Sequence, residues 1–251
     1  MESYASALQV YSVGLVFVRV AAMVMLLPGV GEPAVPARVR LSFAFLLAIV
    51  LAPIAASGMG AVPSTIAGVA GGVIHEAIIG LMIGGILKIF LGALTTAGEV
   101  ISLQTTLGFA QTANPAQAQP TAAISAFLSM LGLLLVMTTD LHHMFLAAIA
   151  ESFRLFPFSR PVPVEDGAAL ALQTVSSSFA LGIQLAAPVI VFSLVFNLAT
   201  GLIGRVMPAF QIFFVSSPLS VLLGLSIFAL SLGGLGMIWT ERYRQLLSNF
   251  S

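Results

Sequence analysis

Ionisable side chains are scarce in this chain, and four of them interrupt apolar runs: Arg19, Glu76, Lys88 and Glu99. A charge inside an apolar span is expensive, so such a residue is by default a candidate for function. The plainer reading is structural: an opposite charge on a neighbouring helix, or a long stem that carries its head to an interface. For Arg19 and Lys88 the plainer reading is favoured. Glu76 is the sharper candidate, because it shares a helix face with a row of glycines. A proton relay would want several titratable groups within reach, and the chain is poor in them.

His142 and His143 are adjacent, so on a helix they point about 100° apart. Metal-binding pairs on a helix want i, i+3 or i, i+4 spacing, which leaves Asp140 with His143 as the geometric candidate. The nearest further ligand is Glu151, two turns on. Capping is favoured over metal binding, since Asp140 is a good N-cap for the helix that follows. No nucleophile elbow, phosphate loop, HExxH or dinucleotide fingerprint is present, so neither a catalytic site nor a cofactor site is expected. Cysteine is absent, which excludes disulfides and thiolate chemistry.

The elements that must hold these residues are apolar. Of 251 residues 59% are hydrophobic and 7% charged, against roughly 25% charged in an ordinary soluble domain. This is a membrane-class protein. Net charge is zero and the basic residues are scattered, so no nucleic-acid surface is expected. Met1-Glu2-Ser3-Tyr4 lacks a basic region, so the first apolar run is expected to be retained.

The runs are Ala5 to Pro28, Leu41 to Ala56, Ile66 to about Leu94 with Gly98 to Leu107 beyond it, Ala122 to Thr139, Gly167 to Gly204 and Val206 to Thr240. Met144 to Phe156 reads as a shorter amphipathic helix, and Glu241-Arg242-Tyr243-Arg244 as a charged tail. At about 20 residues per span these give about six hydrophobic segments. Internal Pro and Gly favour helical hairpins and broken or kinked helices, an all-α fold in a single domain over 1–251. A β-barrel is not expected, because no strand alternation is sustained. With the N-terminus outside, the inside loops hold Arg38, Arg40, Lys88 and Arg205. With it inside, they hold Arg154, Arg160, Arg242 and Arg244. The positive-inside comparison is therefore a tie, as it would be if partners set the final position.

Every fourth residue from Gly68 gives Gly68, Gly72, Glu76, Gly80, Gly84, Lys88 and Gly92. Small residues at this spacing let helix backbones approach closely. Glycine is common here, at 23 of 251, but the stripe exceeds that background and points to close packing with an unnamed neighbour.

Between apolar segments lies Gln104 to Thr121, polar, without a formal charge, and broken by Pro115 and Pro120. An ordinary connection carries charge to stay in water. Here Phe109, flanked by Gly108 and Ala110, reads better as a mobile constriction near a passage.

Gly98-Glu99-Val100-Ile101-Ser102-Leu103-Gln104 running into Leu107-Gly108-Phe109-Ala110 resembles the central signature of the FliR family, flagellar biosynthesis proteins of the type III secretion export gate. Arg19 with Pro28 and Arg38, Asp140-Leu141-His142-His143, Ser152-Phe153-Arg154-Leu155-Phe156-Pro157, Ala187-Pro188-Val189, and Pro208-Ala209-Phe210-Gln211-Ile212-Phe213-Phe214 with Pro218 agree with it. The resemblance spans essentially the whole chain.

It implies a non-enzymatic subunit of an export gate built with FliP and FliQ, with FlhB nearby, passing unfolded flagellar proteins. The place implied is the bacterial inner membrane, at the flagellar basal body. It also implies a plug at Gln104, Leu107, Gly108, Phe109, Ala110, Gln111, Asn114 and Pro115. The alternatives are the related gate subunit of a virulence-type secretion system, an independent small-solute transporter and a membrane-bound enzyme. A transporter would show repeated halves with matched broken helices, and no convincing repeat is visible.

Overall fold

The computed structural model describes the chain except residues 1–6, 56–61, 106–122, 159–160, 162–163, 208–210, 249 and 251. Among the described residues there are seven helices and no strand. They are α1 (Ala7–Val24), α2 (Ala37–Ala55), α3 (Ile66–Gln104), α4 (Ala123–Thr138), α5 (Leu141–Leu155), α6 (Val164–Val206) and α7 (Ile212–Ser248). Helix is the form such a sequence must take in lipid, because it satisfies every backbone N–H and C=O within one segment.

The boundaries follow local chemistry. Pro28 ends the helical path after α1, since the residue before proline is pushed out of the α region. At the start of α3 the Thr65 hydroxyl oxygen accepts the Gly68 N–H at 3.2 Å, an N-cap bond to an otherwise orphaned donor. Glu165 and Asp166 begin α6 and Arg205 ends it, each complementing the helix dipole. Five helices are long and apolar enough to cross a membrane, or six if the bent pair α4–α5 counts as one span.

Two expectations are revised. The third run and Gly98 to Leu107 are not separate pieces: α3 is continuous over 39 residues. Nor is Glu241-Arg242-Tyr243-Arg244 a tail. It is the last part of α7, and the Tyr243 side chain is buried. Arginine and glutamate are good helix formers, so their charge does not stop the helix.

By internal packing the chain divides into two compact units. The first holds Met1–Phe90, Val136–Val175 and Tyr243–Ser251. Its α1 and α2 pack as a hairpin, with Phe17 edge-on to Phe45. Tyr243 stacks on Phe90, meets Phe145 edge-on, and donates its O–H to the Leu87 carbonyl at 3.1 Å.

The second unit holds Leu91–Leu135 and Ser176–Arg242. There Ser125 at the start of α4 donates to the Thr95 carbonyl of α3 at 2.6 Å. A Cβ on Gly98 would collide with the Ser125 backbone. Phe127 of α4 meets Phe228 of α7 edge-on.

In the first unit a Cβ on Gly80 would stand 2.5 Å from the Arg19 carbonyl oxygen and 2.7 Å from the Ala22 Cβ. A Cβ on Gly71 would meet nothing. Gly80→Ala should therefore lower the melting temperature in detergent. Gly71→Ala should leave it unchanged or raise it, since alanine in a helix is favoured over glycine by about 1 kcal/mol. The opposite ranking would refute close packing at Gly80.

Candidate functional site

Arg19 sits within an apolar run of α1, and its side chain is 0% exposed. A buried guanidinium must find acceptors for its fork of N–H donors, and here it finds three. Nε donates to Glu76 Oε2 of α3 at 2.5 Å. Nη1 donates to the Ser152 carbonyl and Nη2 to the Phe156 carbonyl, both at 2.8 Å. Those carbonyls close α5, so the cation also occupies the negative end of that helix dipole. Phe153 and Phe158 supply ring faces, with the guanidinium carbon 4.4 and 5.4 Å from their centroids.

Glu76 is 1% exposed and its second oxygen is also engaged: Oε1 lies 2.9 Å from His75 Nδ1. A carboxylate only accepts, so the bond requires the proton on that ring nitrogen. With both carboxylate oxygens and three guanidinium donors committed, the arrangement is a clamp joining α1, α3 and α5. It contains no nucleophile–base pair.

The glycine stripe surrounds this clamp unevenly. Gly72, Gly80 and Gly84 face α1, where added Cβ atoms would meet Tyr11 and Leu15, Arg19 and Ala22, and Leu26 and Met23. Gly68 meets only Pro63 and Thr65 at the start of its own helix, and Gly92 lies in open space apart from Thr95. The neighbour along this stretch is thus another helix of the same chain. Lys88, on the first unit's part of α3, and Glu99, on the second unit's part, are exposed.

Of the expected plug, Gln104 ends α3 and its Oε1 accepts from Ser193 Oγ of α6 at 2.9 Å. Leu107, Gly108, Phe109, Ala110, Gln111, Asn114 and Pro115 lie outside the described residues.

The capping expectation for Asp140 is corrected. It occupies the N-cap position of α5 in the left-handed region, φ 59° and ψ 17°, and its side chain makes no capping hydrogen bond. The turn from α4 into α5 imposes that backbone and swings the carboxylate toward His143 instead. Sequence spacing also missed His142, whose ring lies 4.1 Å from that of His143. Glu151, the nearest further ligand by sequence, pairs with Arg154.

The carbonyl acceptors for Arg19 carry no side-chain signal and were not legible. The ion pair alone had a signal: one arginine in an apolar run, and Glu76 in the apolar run that faces it.

The chain as a whole resembles known proteins. Residues 10–246 match the family described as bacterial export proteins, family 1. The chain is 64% identical over 251 residues to the flagellar biosynthetic protein FliR of Caulobacter vibrioides, with the whole of both chains covered. It is 32% identical over 212 residues to that of Escherichia coli K12, covering 84% of this chain and 80% of the relative. The corresponding protein of Bacillus subtilis is 28% identical over 218 residues, covering 82% and 80%.

Breaking one side of the clamp leaves a buried charge uncompensated, which costs about 3–5 kcal/mol. Arg19→Met or Glu76→Met alone should therefore sharply reduce folded yield and thermal stability. The double variant should regain a large part, though not all, because the Ser152 and Phe156 carbonyls lose their donor. Additive losses in the double variant would show that the pair is not coupled.

Proposed function

This chain belongs to family 1 of the bacterial export proteins, alongside flagellar FliR, and we propose from that premise that it is a non-enzymatic subunit of the flagellar type III export gate. It is a multi-pass protein of the inner membrane at the flagellar basal body. In the proposed gate it assembles with FliP and FliQ, with FlhB nearby, and lines and closes the passage for unfolded flagellar proteins. The whole chain acts as one subunit, and the segment Gln104 to Thr121 is its plug, with Phe109 the bulkiest part.

One observation carries this reading. Helix α6 has 43 residues, or about 65 Å at 1.5 Å per residue, against about 30 Å of bilayer hydrocarbon. Between Asp166 and Arg205 it has no formal charge, and exposed apolar side chains recur from Leu172 through Leu194 and Leu198 to Val206. Lipid can cover only about half of such a length. The remainder needs apolar protein surface, which a hetero-oligomeric gate supplies.

Two experiments test the reading. Affinity capture of the full chain from membranes in mild detergent should retain FliP and FliQ. A stable monomer that transports a small solute in liposomes would overturn the proposal. Deleting residues 110–118 should make the gate leak ions while leaving assembly intact. Wild-type conductance and secretion in that deletion would reduce the segment to a connector.

A further inference from the structure

We propose that Asp140, His142 and His143 form a binding site for a divalent transition-metal ion of the zinc class at the break between α4 and α5. The three side chains each bring a ligand atom within 4.8 Å of the other two. They come from one four-residue segment, so closing them onto an ion needs only side-chain rotation. Asp140 and His143 are 78% and 69% exposed, and His142 is half-buried, which leaves the site open to solvent.

Several details distinguish this from an ordinary helix start. An aspartate at the N-cap usually spends its carboxylate on the N2 or N3 amide. Those amides belong here to His142 and His143. Asp140 instead leaves both side-chain capping bonds unmade and takes a positive φ. Its backbone carbonyl accepts the His143 N–H at 3.0 Å, which fixes the turn without the side chain. The carboxylate Oδ1 then stands 3.6 Å from His143 Nδ1. That is too long for a hydrogen bond. It is close to the edge of about 3.4 Å in a tetrahedron built on zinc–ligand bonds of about 2.1 Å. The two rings, adjacent in sequence, converge to 4.1 Å between centroids.

Ligand chemistry selects the metal class. Two imidazoles and one carboxylate suit zinc, nickel or copper, whereas magnesium and calcium want oxygen donors. The N-terminus of α5, the positive end of its dipole, lies at this site. The same end opposes a bound cation, and the Asp140 charge is what offsets it. Three protein ligands leave a fourth position for water or for a donor from another chain.

The chain contains His75 as its other histidine and no cysteine, so its own background of zinc ligands is low. The test uses the full chain in its membrane complex, captured on a histidine-free tag and titrated with Zn2+ alone, with bound metal counted per chain. Wild type should hold one zinc more than each of Asp140→Gly, His142→Gln and His143→Gln. Each substitution should weaken that site at least tenfold. Glycine accepts the positive φ at position 140, so Asp140→Gly removes the ligand while preserving the turn. Circular dichroism and complex yield confirm that the variants are folded. Excess Mg2+ should not compete. Equal zinc content in wild type and variants, or retention that does not depend on Asp140, overturns the proposal.

Discussion

A guanidinium with no access to water sets the terms for the first packing unit. Desolvating Arg19 costs several kcal/mol, so its acceptors must be in place whenever the unit is folded. Glu76 supplies the charge and the end of α5 supplies two carbonyls. No pair of helices could meet that demand alone, because the acceptors come from α3 and α5 while the donor comes from α1. The ion pair thus specifies a three-helix arrangement more than it adds stability.

Glycine makes the geometry reachable. Gly80 lies one turn beyond Glu76 and admits the Arg19 carbonyl to a distance that any side chain would forbid. Gly72, one turn before Glu76, leaves room for the Tyr11 hydroxyl, and Gly84, two turns after it, lies against Leu26 and the Met23 backbone. The close approach lets a short glutamate reach Nε at 2.5 Å. The second unit uses small residues similarly, but with hydroxyls in place of charges. Gly98 admits the Ser125 backbone, while Ser125 donates to Thr95 and Ser193 to Gln104. Lipid tails are as apolar as leucine, so tight contact and hydrogen bonds, rather than burial of apolar area, must decide which helices associate.

Much of this could be read in the sequence. Apolar run lengths gave the helices, while of the four-residue glycine spacing only Gly72, Gly80 and Gly84 lie against another helix. Arg19 in an apolar run implied a partner charge. What could not be read depended on backbone. The Ser152 and Phe156 carbonyls are acceptors that any residue would provide, and only the path of α5 brings them to Arg19. The helical continuation through Glu241-Arg242-Tyr243-Arg244 was hidden by its charges, although Tyr243 is the residue with an internal site. Asp140 looked like a cap by type and position, but a left-handed φ, which sequence spacing does not encode, turned its carboxylate elsewhere.

The even orientation count takes on a physical meaning once these contacts are known. Arg40 donates to the Gly31 carbonyl at 3.3 Å, and Arg154 pairs with Glu151. Each belongs to a different side of the positive-inside comparison, and the rule counts basic residues rather than net charge, so the count stays at four against four. Arg19, the most deeply placed cation, is neutralised by Glu76 and contributes to neither side. The membrane therefore exerts little net electrostatic preference on this chain. Its long helices nevertheless carry apolar side chains over lengths that a bilayer cannot cover. In the proposed gate, so weak a charge signal and so much surplus apolar surface leave the chain's final position to the proteins that cover that surface.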